Sequence, residues 1–318
     1  MKAAPSTVVP EWLTGDMARI EDILLTRAGA SAHPLVAEPA THLIKAGGKR
    51  LRPALVLLTS RFGAPSASTD LAAAAVELVH LATLYHDDVM DETDVRRGVP
   101  TAHTKWGTEI AVLAGDYLFA CGSALGAAAG GEVPGILAQA IADVCEGQII
   151  ETAALHDPRR AVEDYLETIS LKTGALFRAA CELGASTSAL DAPERDALLA
   201  YGEHLGRAFQ MVDDLLDLVG DPAVTGKELG TDLKEGVFTM APLLAAQRDD
   251  AFADLLVSGD RELGELLPAL ESSGAFDDAM SAARDAARRA EASLERFADG
   301  PEKDALIGLV GGVLAQLD

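Results

Sequence analysis

The 318-residue sequence predicts an all-α fold, because apolar residues recur at three- and four-residue steps in almost every long segment. The periodicity is clearest in residues 71–90, 136–150, 165–183 and 195–219. Glycine, proline and aspartate mark helix ends at 46–48, 63–65, 130–134, 157–158, 191–193 and 220–222. None of these breaks is long enough for a linker, so we expect a single domain over residues 1–318.

Composition and charge exclude several classes of protein. The chain is 49% hydrophobic, which is enough for a substantial core. Its 26 Lys+Arg against 50 Asp+Glu give a net charge of −24, which repels phosphate backbones and makes nucleic acid an unfavourable partner. The longest uncharged stretch, residues 117–131, is too short for a membrane span. We therefore expect no integral membrane segment. Three cysteines without metal-ligand spacing, Cys121, Cys145 and Cys181, indicate reduced thiols in a cytoplasmic protein.

The segment 71–90 ends in an aspartate-rich motif, DDxxD, formed by Asp87, Asp88 and Asp91. On a helix Asp87 and Asp91 lie one turn apart on the same face, and Asp88 lies about 100° around the axis. Three carboxylates this close repel one another unless a cation offsets them, and hard oxygen ligands favour magnesium over zinc. The competing interpretation of this motif alone is an exposed acidic helix end.

A second DDxxD, formed by Asp213, Asp214 and Asp217, ends the segment 195–219. Two carboxylate clusters on separate helices can face each other across a cavity and hold several magnesium ions. Magnesium binds proteins through one or two carboxylates and completes its shell with water and phosphate oxygens. The pair therefore predicts a phosphorylated, diphosphate-like ligand.

The few basic residues cluster near these motifs. The segment KAGGKRLRP at 45–53 holds Lys45, Lys49, Arg50 and Arg52, and Arg96 and Arg97 follow the first cluster. Guanidinium groups match phosphate oxygens in bidentate fashion. The alternative for the first group is a solubilising basic turn.

These motifs together resemble the polyprenyl synthetase family of trans-isoprenyl diphosphate synthases. The matching segments are GGKRLRP at 47–53, ELVH at 77–80, DDVMD at 87–91, RRG at 96–98, GQ at 147–148, KTG at 172–174, FQMVDDLLD at 209–217 and TGKELGTDLKEG at 225–236. Dense matching covers residues 47–242.

The resemblance implies a helical bundle of the isoprenoid synthase type around a deep central cavity, assembled as a homodimer. It implies condensation of isopentenyl diphosphate with an allylic diphosphate, head to tail, and delivery of the product to the membrane. The implied cofactor is Mg²⁺, three ions per active site, with Mn²⁺ as a substitute.

The family pattern also assigns site residues. The implied metal ligands are Asp87, Asp91 and Asp213, supported by Asp88, Asp214 and Asp217. Isopentenyl diphosphate is assigned to Lys49, Arg52, His80 and Arg97, and the allylic diphosphate to Arg96, Lys172, Thr173, Gln210, Lys227 and Lys234. Lys172 and Lys227 are also placed among the catalytic residues. Many relatives have a lysine where this chain has Val237, and Lys234 is the expected substitute.

Product length is predicted from the helix before the first cluster. In this family a bulky residue four or five positions before the first aspartate acts as the floor of the product tunnel. Ala82 and Thr83 occupy those positions and both are small. We therefore predict a product of about C30 to C50, with a C20 or farnesyl product as the alternative.

Three other functions stay open from the motifs. A class I terpene cyclase shares one aspartate-rich motif, but usually replaces the second with another pattern. A metal-dependent phosphohydrolase would use His80 and the His86–Asp87 pair, yet needs further histidine ligands. A noncatalytic partner subunit typically loses the aspartates that are intact here.

Overall fold

A computed structural model describes residues 9–220, 229–258 and 263–317, and these are mostly helical with almost no strand, which confirms the all-α prediction. Before the first gap the helices are α1 Thr14–Ala28, α2 Pro34–Lys45, α3 Leu51–Ser60, α4 Ser68–Met90, α5 Ala102–Trp106, α6 Thr108–Ala129, α7 Val133–Ala153, α8 Val162–Ile169, α9 Ala175–Ser186 and α10 Ala192–Val219. After it come α11 Thr231–Glu235, α12 Met240–Arg248, α13 Asp250–Val257, α14 Leu263–Ser273, α15 Ala275–Ser293 and α16 Pro301–Leu314. A 3₁₀ turn at Glu11–Leu13 precedes α1.

The chain contacts divide into two compact units. Unit 1 comprises Met1–Ile141, Ala179–Leu199 and Arg296–Leu306, and contains the first aspartate cluster. Unit 2 comprises Ala142–Arg178, Ala200–Glu295 and Ile307–Asp318, and contains the second cluster. Each cluster is therefore described within its own unit.

The core of unit 1 is built on α4 against α6. Most of α4 is buried, and its alanines allow a close helix–helix approach. At Gly122 on α6, a Cβ would lie 3.1 Å from the Ala75 carbonyl oxygen and 3.2 Å from Val79 Cγ2. This tight packing fixes α4, and with it the position of the aspartates at its C-terminal end.

A two-residue hairpin follows the first cluster. Strand β1, Val95–Arg96, pairs antiparallel with β2, Val99–Pro100, in the register Val95↔Pro100 and Arg96↔Val99. Arg97 and Gly98 form the turn with φ of 54° and 75°, the left-handed conformation that two-residue hairpin loops require. The hairpin returns Arg96 to Asp88 of the preceding cluster and directs Arg97 to the carbonyl oxygens of Leu43 and Gly47.

In unit 2 the segment predicted as one helix over 165–183 is interrupted by a π-helical stretch, Ser170–Gly174. Two glycines hold its backbone closely: a Cβ at Gly147 would lie 2.5 Å from Lys172 N, and one at Gly206 would lie 2.7 Å from Gly174 Cα. A π-helical turn contains about one residue more than an α-helical turn, and the spacing of apolar residues does not reveal this difference over a single turn. The sequence therefore predicts a continuous helix. Such π segments are frequent at functional sites.

Two helices, α6 and α7, have the length and apolar composition of a membrane span. In each of them 39% of the apolar window is buried within the protein. The core helices of globular proteins have the same length and composition.

Candidate active site

The first cluster lies at the C-terminal end of α4, where its three aspartates have different surroundings. Asp87 is half-buried and Asp91 is exposed, whereas Asp88 is only 1% exposed. Asp88 Oδ1 accepts a hydrogen bond from Arg96 Nε. Its Oδ2 is buried with no hydrogen-bond partner among the described residues. Burial raises the pKa of Asp88, although the nearby Arg96 acts to lower it.

Arg97 clamps the glycine turn that opens the basic motif. Its Nη1 donates to the carbonyl oxygen of Leu43 at 3.2 Å and to that of Gly47. A Cβ at Gly48 would lie 2.8 Å from Arg97 Cζ, so only glycine leaves room for this guanidinium. Gly48 is therefore explained by the position of Arg97, whereas Gly47 is explained by its φ of 89°, a conformation that favours glycine.

A buried carboxylate, Glu77, lies beneath this basic group. Arg50 Nη1 donates to Glu77 Oε1 at 3.1 Å, and the Arg50 Nε and Nη2 donate to the two oxygens of Glu21 at 2.9 Å each. Arg50 is thus a structural residue, held by two carboxylates. The ELVH segment at 77–80 contains Glu77, but the sequence-based prediction assigned this residue no role. Its position inside an apolar helix was the available signal, because a carboxylate is buried only with partners.

The electrostatics of this region suit an anion. Burial lowers the pKa of Arg52 to about 10, with Arg97 adding to the shift and Glu77 opposing it, so Arg52 stays charged at neutral pH. Burial and the neighbouring arginines, Arg52 and Arg97 foremost, lower the pKa of His80 well below its usual value. His80 is therefore a neutral, weakly basic imidazole among guanidinium groups. Lys49 lies exposed just before α3.

In the second cluster, on α10, only Asp213 is exposed. Asp214 is 6% exposed, and both of its oxygens have donors: Tyr165 donates its hydroxyl to Oδ2, and Gln210 Nε2 donates to Oδ1 at 2.7 Å. Burial raises the pKa of Asp214 to about 7 against the lowering effect of these two hydrogen bonds.

Asp217 connects α10 to the short helix α11. Its two oxygens accept the backbone N–H groups of Thr231 and Asp232, each at 3.2 Å. These are amides of the first turn of α11, which have no partner within the helix. Asp217 therefore fixes the start of the helix that carries Lys234. Lys227, the other lysine predicted in this region, lies outside the described residues.

The π segment of unit 2 carries Lys172 and Thr173. Lys172 Nζ forms an ion pair with Glu151 on α7. Thr173 Oγ1 donates to Gln210 Oε1 at 2.7 Å. Three predicted allylic-site residues, Lys172, Thr173 and Gln210, are thus joined to α7 and α10 by side-chain contacts.

The two predicted chain-length residues lie in the last turns of α4. Ala82 is fully buried. Thr83 is half-buried and donates its hydroxyl to the His80 carbonyl oxygen at 2.8 Å.

Among the described residues no three His, Cys, Asp or Glu side chains converge as a ready-made metal site. Asp88, Asp214 and Asp217 are engaged by Arg96, by Tyr165 and Gln210, and by backbone amides. Asp87 is half-buried, and Asp91 and Asp213 are exposed, so these three carboxylates are accessible to solvent. All donors are carboxylate oxygens, the set that magnesium prefers.

Known proteins of one family are similar to this chain over most of its length. Residues 33–262 match the polyprenyl synthetase family. The chain is 36% identical to nonaprenyl diphosphate synthase of Mycobacterium tuberculosis over an alignment of 326 residues, covering 96% of this chain and 97% of that protein.

Two solved structures are similar over almost the whole chain. A decaprenyl diphosphate synthase from Rhodobacter capsulatus has a TM-score of 0.92 at 36% identity, covering 97% of this chain and 98% of that one. A polyprenyl synthase from Caulobacter crescentus, solved with calcium and isoprenyl diphosphate, has a TM-score of 0.91 at 34% identity, covering 99% and 98%.

Proposed function

The chain belongs to the polyprenyl synthetase family, and we propose that it is a long-chain trans-polyprenyl diphosphate synthase. It condenses isopentenyl diphosphate with an allylic diphosphate, head to tail, to a product of about C30 to C50. The observation that carries this proposal is the pair of intact DDxxD clusters, each with one aspartate buried as an anchor. The nonaprenyl and decaprenyl names of two relatives support a long product.

The metal in this proposal is Mg²⁺, three ions per active site, and Mn²⁺ substitutes for it. Asp87, Asp91 and Asp213 would hold the ions, because the family pattern assigns the metal to these positions and their side chains are accessible to solvent. When bound, magnesium supplies the positive charge that stabilises a departing diphosphate. The calcium in the Caulobacter crescentus structure, another oxygen-preferring cation, is consistent with this donor set.

The protein residues bind and orient the two substrates. Lys49, Arg52, His80 and Arg97 bind isopentenyl diphosphate, and Arg96, Lys172, Thr173, Gln210, Lys227 and Lys234 bind the allylic diphosphate. Glu77 and Glu21 hold Arg50, which lies between Lys49 and Arg52 in the basic motif. Steady-state kinetics at varied concentrations of each substrate test this division. A substitution in one residue group should raise KM for the substrate assigned to that group and leave KM for the other unchanged.

The reaction requires little general acid–base catalysis by the protein. The allylic C–O bond breaks, the double bond of isopentenyl diphosphate attacks the allylic carbon, and a proton leaves the new intermediate. We assign that proton to the released diphosphate, because the lowered pKa of His80 makes its imidazole a weak base.

Product analysis under metal control tests the proposed function. With radiolabelled isopentenyl diphosphate and each allylic primer, we expect condensation only with Mg²⁺, loss with a chelator, and partial recovery with Mn²⁺. Condensation without a divalent metal would overturn the scheme. Hydrocarbon release from the allylic diphosphate alone would favour a terpene cyclase instead.

We further propose a homodimer. The outer face of α6 supports it: Val112 is 36% exposed, Leu113 is 61% exposed, and the exposed alanines Ala120, Ala124, Ala127 and Ala128 continue this face, with Asp116 as a charged residue within it. Such an apolar face is a typical protein–protein surface. Light scattering should give twice the 33.1 kDa chain mass, and a monomer at micromolar concentration would contradict the proposal.

The remaining assignments complete the proposal. Residues 1–318 form one polyprenyl synthetase domain that acts in the cytoplasm and delivers its product to the membrane. The net charge of −24 disfavours nucleic acid as a partner. Fractionation of cells, with the protein found in the membrane pellet after a salt wash, would contradict the cytoplasmic assignment.

A further inference from the structure

We infer that Tyr165 is a positioning residue: its hydroxyl holds Asp214, and thereby fixes the α10 turn that presents Asp213 to the metal-bound diphosphate. The inference deepens the proposed function and rests on it. Tyr165 contacts neither substrate nor metal in this assignment, so it acts through Asp214 alone.

The first argument is the hydrogen-bond accounting at Asp214. This carboxylate is buried, and Tyr165 and Gln210 supply one donor to each of its oxygens. Gln210 lies one turn earlier on the same helix, so its hydrogen bond to Asp214 does not tie that carboxylate to another element. Tyr165 lies on α8, and its hydroxyl joins Asp214 to a neighbouring helix.

The second argument is that the same network reaches the π segment. Gln210 uses its amide nitrogen for Asp214 and its amide oxygen for the hydroxyl of Thr173. The chain of hydrogen bonds thus runs from Tyr165 through Asp214 and Gln210 to Thr173. One turn before Gln210 on α10, the backbone of Gly206 packs closely against Gly174 of the π segment.

The third argument concerns what removal of the hydroxyl leaves behind. Tyr165 is 3% exposed, so water has little access to replace its donor. One oxygen of Asp214 would remain buried without a donor, which is unfavourable for a carboxylate. The carboxylate is then expected to rotate out of its site and to displace its neighbour Asp213, the exposed member of the cluster.

Tyr165→Phe tests this, with Tyr201→Phe as the matched control. Tyr201 is also on unit 2, fully buried, and lies on α10 itself. The first readout is the rise in melting temperature produced by MgCl₂ with inorganic pyrophosphate. The second is the Mg²⁺ concentration for half-maximal condensation, measured with KM for each substrate.

For Tyr165→Phe we expect higher concentrations of MgCl₂ and pyrophosphate to be needed for the same rise in melting temperature. The Mg²⁺ concentration for half-maximal condensation and KM for the allylic diphosphate should also rise. Each increase should be about 10- to 100-fold, as for other residues that orient metal ligands. KM for isopentenyl diphosphate should stay unchanged. Tyr201→Phe should lower the melting temperature without changing the metal requirement. Tyr165→His, which keeps a ring with a donor N–H, should recover part of the lost affinity.

Two results would overturn the inference: wild-type binding of magnesium pyrophosphate by Tyr165→Phe, or equal losses in both phenylalanine variants, which would indicate general packing. The proposed function fails separately. In that case the wild-type protein would not condense the two substrates, while the pyrophosphate-dependent melting shift would still report on Tyr165.

Discussion

Replacing Asp213 by alanine is expected to reduce kcat for condensation by about three orders of magnitude, or roughly 4 kcal/mol of transition-state stabilisation. The melting temperature should change little. Asp213 is an exposed carboxylate, so its loss removes charge that holds the metal and disturbs no core packing. Asp87→Ala should give the same result from the first cluster.

The adjacent Asp214 provides the matched control. Asp214→Ala removes a buried carboxylate and leaves the Tyr165 hydroxyl and the Gln210 amide without their acceptor. Unsatisfied buried polar groups cost about 1–3 kcal/mol each, so this variant should lose stability as well as rate. Rates per folded molecule and thermal unfolding are measured on all three variants.

Equal and steep losses of stability in Asp213→Ala and Asp214→Ala would show that both aspartates are structural. Full activity in Asp213→Ala would remove it from the metal site. Either result would contradict the division of the cluster into one exposed ligand and one buried anchor.

The helices and the two clusters were predictable because their signals are local. Helical periodicity, the glycine and proline breaks, and the repeated DDxxD all appear within single segments of the sequence. The roles of the individual aspartates were less accessible. Helix geometry places Asp88 about 100° from Asp87, but it does not say which face meets Arg96.

The missed residues share one physical feature: each acts through a partner distant in sequence. Tyr165 meets Asp214 across 49 positions, and Arg50 meets Glu77 across 27. An aromatic residue on an amphipathic helix is ordinarily a core residue, so nothing local marks Tyr165 as a hydrogen-bond donor. The π segment was missed for a related reason, since it is stabilised by close contacts of its backbone with Gly147 and Gly206.

Product length is the second property on which a single substitution should have a large effect. Ala82→Phe is expected to shorten the product from about C30–C50 to about C15–C20, with condensation itself intact. Ala82 lies on α4 five residues before Asp87 and is fully buried. The family pattern assigns this position to the floor of the product tunnel, so an aromatic ring there is expected to take up space that the growing chain would fill. It does so without touching a carboxylate of the cluster.

Ala75→Phe provides a graded comparison on the same helix. Ala75 is equally buried and lies seven residues, or two turns, earlier than Ala82 on the same face, about 10 Å along the axis at 1.5 Å per residue. A ring at this depth should act later in elongation, and its product should be about two isoprene units longer than that of Ala82→Phe. The two variants together test position as well as bulk.

The product distribution is the right measurement because it does not depend on the amount of folded enzyme. Overpacking a buried alanine costs about 1–3 kcal/mol, so both variants are expected to lose some stability and total turnover. The chain length made by each surviving molecule is unaffected by that loss. Chromatography of the dephosphorylated products should therefore give a shorter, still homogeneous product for Ala82→Phe. An unchanged distribution in both variants would place the floor of the tunnel on another helix, and would leave the long-chain assignment resting on its relatives alone.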